Sequence, residues 1–152
     1  MTKRQACSEP EPYDFSKQIG HLLRRAYHRH LAIFQQNASD PQLTSVQFAT
    51  LCALLDDGPC SQAELVQITA IDQATIRGIL DRLKARNLIT MSPASNDRRK
   101  VIASLAPTGR ATLDSMIPCA RRITELTLAG FNPAERVAIH YVLDKIINRT
   151  DP

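Results

Sequence analysis

Residues 72–105 read DQATIRGILDRLKARNLITMSPASNDRRKVIASL. Asp72 can cap a helix in which Ile76, Ile79, Leu80 and Leu83 recur at three- and four-residue spacing and therefore share one buried face. Gln73, Thr75, Arg77, Arg82, Lys84 and Arg86 fall largely on the other faces. Asn87 tolerates the left-handed conformation and can end the helix. Leu88–Met91 and Val101–Leu105 are β-prone runs joined by the polar stretch Ser92–Lys100, which predicts a hairpin with an exposed basic tip.

Upstream, two helix starts carry the same signature. Thr44-Ser-Val-Gln and Ser61-Gln-Ala-Glu each place a hydroxyl three residues before Gln or Glu, the capping-box arrangement that satisfies two helix-start amides reciprocally. The first opens a helix ending near Asp57, at Gly58-Pro59. The second opens a helix of about two turns that stops near Thr69-Ala70. Further out, Asp14–Asn37 is predicted as one long helix. Pro107-Thr-Gly precedes another, which Thr108 caps and Pro118 bends, and Asn132-Pro-Ala-Glu starts the last.

A short helix, a tight connection, a second helix with polar tips and a basic two-stranded ribbon together fit duplex DNA. The second helix is narrow enough for the major groove, and the ribbon reaches phosphates or the adjacent minor groove. The chain of 152 residues carries a net charge of +4, and between Ser61 and Lys100 seven basic residues stand against four acidic ones. Most of the net charge is thus concentrated where the groove-binding unit lies.

Gln73, Ala74, Thr75 and Arg77 occupy the first turns of the reading helix. Gln pairs two-pronged with adenine, Arg with guanine, and Ala or the Thr methyl touches thymine. Ser61 and Gln62, at a helix start, and Arg82 are placed for phosphates. Arg98, Arg99 and Lys100 form the ribbon tip, where Asp97 can hold the Arg99 guanidinium in one orientation.

Other function classes find little support. No nucleophile stands with a base, and no carboxylate pair or metal-ligand spacing is evident, so the chain is expected to be no enzyme and to need no cofactor or metal. Cysteines at 7, 52, 60 and 119 form no Cys-x-x-Cys pair. No run approaches the roughly 20 apolar residues of a membrane span and no signal peptide opens the chain, which predicts a cytoplasmic protein with no membrane partner. Residues 1–12, with Pro10 and Pro12 among polar residues, are expected to form a loose arm.

Taken together, Ala74–Ile89, Asn96-Asp-Arg-Arg-Lys and Ser104-Leu-Ala-Pro-Thr-Gly-Arg resemble the MarR family of bacterial regulators, a similarity that extends from about Ile19 to Ile147. The resemblance implies a mainly α, winged helix-turn-helix fold with a small β-hairpin wing, in one domain over 13–152. Residues 44–106 would bind DNA, and helices within 13–37 and 108–148 would join two copies as a homodimer. Two-fold symmetry would set the reading helices about 34 Å apart, one turn of DNA.

The resemblance further implies a repressor of aromatic-compound catabolism that binds a palindromic operator and is released by a small aromatic anion. His21, Arg24, Tyr27 and His28 on the first helix are the candidate contacts, an Arg and two imidazoles meeting a carboxylate such as that of a hydroxylated benzoate or pyridine carboxylate. Two alternatives stand beside it: an oxidant sensor using Cys7, and a sequence-neutral architectural DNA binder. The sequence departs from the family pattern at Gly78, where relatives often carry a longer polar residue, and at Ala106-Pro107-Thr108, which replaces the usual Leu-Thr entry.

Overall fold

The computed structural model describes residues 12–149. The chain forms helices α1 (Ile19–Asn37), α2 (Ser45–Asp56), α3 (Gln62–Thr69), α4 (Gln73–Ala85), α5 (Pro107–Thr127) and α6 (Pro133–Ile147) and strands β1 (Cys60–Ser61), β2 (Ile89–Pro93) and β3 (Val101–Leu105). The proposed arm lies outside the described residues, apart from Pro12.

The expected caps form. Thr44 with Gln47, Ser61 with Glu64 and Asn132 with Glu135 each make both bonds of a capping box, and Asp72 accepts from the Thr75 amide at 2.9 Å. Such caps contribute about 1 kcal/mol each, enough to fix where short helices begin. Asn87 takes a left-handed backbone at φ 57° and ends the α4 segment.

Three local expectations are corrected. The long first helix is divided: Phe15–Lys17 forms a single 3-10 turn, and α1 starts only after Gln18, whose side chain caps it at the His21 amide. Thr108 does not cap α5. That helix begins at Pro107 after Ala106, whose methyl cannot accept a bond, while the Thr108 hydroxyl donates to the Asn87 carbonyl. Finally, the wing is a three-stranded sheet in the order β1-β3-β2, because Cys60 and Ser61 pair with Ala103 and Ile102.

The core lies between α2, α4 and α5, where Leu51, Leu54, Ile76, Leu80, Leu83, Leu113 and Met116 are almost fully buried. Gly109 allows the wing to close against it, since a Cβ there would lie 2.1 Å from the Leu88 carbonyl oxygen. By contrast, α6 buries none of its residues. Its hold on α5 includes Arg136, which bonds Glu125 at 2.7 Å and the Leu128 carbonyl at 3.2 Å. Among the described residues no helix is long and apolar enough to cross a membrane.

Candidate nucleic-acid interface

The α4 helix turns Ile76, Ile79, Leu80 and Leu83 inward and leaves Gln73, Ala74, Thr75, Arg77 and Arg82 exposed. Its first turns therefore present the side chains expected to read bases, above a scaffold held by four buried aliphatics. The wing stands beside it. Ser61, Gln62, Gln73, Asp97, Arg99 and Lys100 line one open cleft of about 530 Å³, which brings the start of α3, the start of α4 and the ribbon tip to a common surface.

Within that cleft the roles diverge from simple expectation. Ser61 is buried, its hydroxyl donates to Glu64 Oε2 at 2.6 Å, and its amide reaches the same carboxylate at 2.7 Å. Both of its donors are thus engaged by the cap, which leaves Ser61 nothing to offer a phosphate. The same bonds, the hydroxyl first, hold the Glu64 carboxyl below its usual range, so the cap stays ionised. Gln62 Nε2 donates to the Gln73 carbonyl at 3.2 Å, joining the two helix starts of the motif and leaving its second N–H available.

At the ribbon tip Arg98, Arg99 and Lys100 are exposed. Asp97 accepts from the Arg99 amide at 3.0 Å and lies 3.6 Å from its Nε. The carboxylate thus organises the turn as much as the guanidinium, whose side chain remains 95% exposed. Arg86 departs from the basic surface altogether. Its guanidinium pairs with Asp40, with only 29% and 21% of the two side chains exposed, so it contributes little positive potential toward DNA.

Residues expected to meet an effector are split by α1. His21, Arg24 and His28 line one open surface hollow. Tyr27 is rotated roughly 60–120° from them at about 100° per helical residue and lines a different chamber with His30, Thr127 and His140. Sequence reasoning missed His30 and His140. The signal that could have found His30 is its three-residue spacing from Tyr27, which puts both on one side of the helix.

Burial first, and then Asp56, push the Cys52 thiol up to about 11. Cys60 is also raised, by burial and by Glu64 and Asp57. Both shifts disfavour the thiolate that oxidants attack. Cys7, the expected redox residue, lies outside the described residues.

Known proteins share this arrangement. The profile of the MarR family matches residues 43–101, the segment from α2 to the wing. The HTH-type transcriptional repressor NicR of Pseudomonas putida is 61% identical over 147 residues, covering 97% of this chain and 93% of its own. The structure of Bordetella bronchiseptica BpsR, whose DNA binding is regulated by 6-hydroxynicotinic acid, superimposes with a TM-score of 0.85 at 56% identity, covering 91% of this chain and 99% of that one. A probable transcriptional regulator from Pseudomonas aeruginosa gives a TM-score of 0.82 at 37% identity, over 88% of this chain and 99% of its own. With the cleft between reading helix and basic wing in place, these likenesses make the chain a member of the MarR family of DNA-binding transcriptional regulators.

Proposed function

We propose that the protein is a cytoplasmic repressor that binds a palindromic operator as a homodimer and releases it when a small aromatic acid binds. The observation that carries the DNA half is the start of α4, at Gln73, meeting the start of α3 and the basic wing tip across one cleft. Gln73, Ala74, Thr75 and Arg77 read base edges, while Gln62, Arg82, Arg98, Arg99 and Lys100 hold the backbone and Asp97 shapes the turn.

Dimerisation is supported by the apolar surface at the ends of the chain. Ile19, Leu23, Val137, Tyr141, Val142 and Ile147 are all at least 39% exposed. An isolated chain would leave these apolar side chains in water, whereas a two-fold partner shields them.

The effector half is supported by similarity to BpsR, whose DNA binding 6-hydroxynicotinic acid regulates, and by α1, which carries Arg24, His21 and His28 on one side and Tyr27 on another. Regulation follows from differential affinity: a ligand that prefers a spacing of the reading helices unsuited to the operator pulls the population off DNA. The regulated genes would encode degradation of aromatic or N-heteroaromatic acids.

The test is a gel-shift titration on an operator obtained by selecting bound duplexes from a random-sequence pool. Addition of 6-hydroxynicotinate should release the duplex, while acetate at equal concentration should not. Retention of the complex at every concentration of hydroxylated nicotinates and benzoates refutes the effector assignment.

A further inference from the structure

A reading helix discriminates bases only as well as its first turn is held, because a side chain displaced by about 1 Å no longer meets both hydrogen-bonding atoms of a base edge. The far end of α4 is anchored twice. Arg86 pairs with Asp40, and the carbonyl of Asn87, just beyond the helix, accepts from the Thr108 hydroxyl. At the near end Asp72 caps the helix locally. Among the described residues, the side-chain bond that joins this first turn to another element runs from Gln62 Nε2 to the Gln73 carbonyl, at 3.2 Å.

Gln62 is a firm point from which to hold a helix. The residue before it, Ser61, is buried, pairs with Ile102 of β3, and has both its hydroxyl and its amide engaged by Glu64. Gln62 therefore follows directly from the wing sheet, and its amide spans from that sheet to the start of α4. The turn between the helices braces itself separately, the Thr69 hydroxyl accepting from the Ile71 amide. A side-chain amide carries two N–H groups, and with one on the Gln73 carbonyl the second remains for a phosphate entering the cleft that Gln62 shares with Arg99 and Lys100.

We propose that Gln62 is a positioning residue for base reading, the clamp that sets Gln73 over its base and makes phosphate binding and base reading one event. The assignment rests on the base-reading role given to Gln73 above, and it adds sequence discrimination to the backbone-holding role of Gln62. With the far end of α4 fixed at Arg86 and Asn87, loss of the clamp lets the helix swing about that end. Displacement is then largest at Gln73 and smaller at Arg77, one turn further on. A residue that only held phosphate would change affinity for all sequences by the same factor.

The experiment titrates the full chain by fluorescence anisotropy on an operator selected from a random-sequence pool and on singly mismatched duplexes. The variants are Gln62→Ala, Gln62→Glu, Gln73→Ala, Arg77→Ala and the double variant Gln62→Ala with Gln73→Ala. Gln62→Glu keeps the shape of the side chain, has no N–H and suits a helix start, so it decides should Gln62→Ala fail to fold. Gln73→Ala should lose roughly tenfold discrimination at one base pair, which identifies the pair that Gln73 reads. Both Gln62 variants should lose about fivefold discrimination at that pair and less than about twofold at the pair read by Arg77, beside a uniform loss of affinity. Added to Gln73→Ala, Gln62→Ala should cost no further discrimination there, since it acts through Gln73.

If the Gln62 variants weaken every duplex by one factor, or if the losses in the double variant multiply, Gln62 does not position Gln73 and the base-reading assignment stands without it. If Gln73→Ala itself weakens all duplexes equally, the base-reading assignment and the clamp fall together.

Discussion

The guanidinium of Arg86, at the end of the reading helix, is bound to the carboxylate of Asp40 in the loop between α1 and α2. Burial pushes the Asp40 carboxyl up, but the bonds from Arg86 and from the Gln42 amide more than offset it, so the group titrates below its usual range. Through this pair the C-terminal end of α4 is held to the chain leaving α1, the helix that carries the candidate effector residues.

Asp40→Ala leaves the part-buried Arg86 without its counter-charge and should destabilise the fold by about 1–3 kcal/mol at pH 7, between the values for exposed and buried pairs. A carboxylate with a depressed folded-state pKa stabilises above its unfolded value of about 3.9 and loses that contribution as pH falls through the folded value. Thermal unfolding at a series of pH values should therefore show the two proteins converging below about pH 4. A difference that stays constant from pH 7 to pH 3 contradicts the ion-pair assignment.

Three small-residue exchanges should move stability in different directions. Ala70 ends α3 in the left-handed region at φ 54°, so Ala70→Gly should stabilise by about 0.5–1 kcal/mol. Gly78 lies mid-helix with nothing within 4 Å of an added Cβ, and Gly78→Ala should stabilise by about 0.5–1 kcal/mol. Gly109→Ala should destabilise by about 2 kcal/mol or more, because its Cβ meets backbone that cannot step aside. Urea unfolding of the three variants reads all three signs.

Val142→Asp places a charge on the uncovered α6 face, where Val142 is 50% exposed. Light scattering should show a monomer with unchanged helical circular dichroism, and operator affinity should fall roughly a hundredfold as one half-site is lost. A variant that stays dimeric would remove this face from the interface.

Arg99→Ala should weaken binding to every duplex by a similar factor and reduce the salt slope by about one. Arg77→Ala and Gln73→Ala should instead cost about 1–3 kcal/mol on the right operator and relax preference at one position. Fluorescence anisotropy on matched and singly mismatched duplexes separates the two patterns. Equal losses on all sequences would refute the base-reading roles.

The helices and the hairpin were legible because their signals are local. Capping pairs sit three residues apart, and Ile76, Ile79, Leu80 and Leu83 repeat with the helix. What escaped depends on tertiary contact. Two residues, Cys60 and Ser61, are too few to show strand periodicity, and they are a strand only because β3 passes beside them. Arg86 looked like a surface cation until folding brought it to Asp40, 46 residues away. His30 meets Thr127 across 97 residues, and no spacing rule foretells that bond. Ser61 misled for another reason: a helix-start hydroxyl suits a phosphate and a capping carboxylate equally, and Glu64 stands three residues away to claim it.

Selection of bound duplexes from a random-sequence pool bears most directly on whether α4 lies in the major groove with the wing beside it. The enriched sites should converge on an inverted repeat with half-site centres about one helical turn, 10–10.5 base pairs, apart, bound roughly 10³-fold or more above random DNA. Failure to enrich any sequence, with equal affinity for all duplexes or no binding even at low ionic strength, would contradict it.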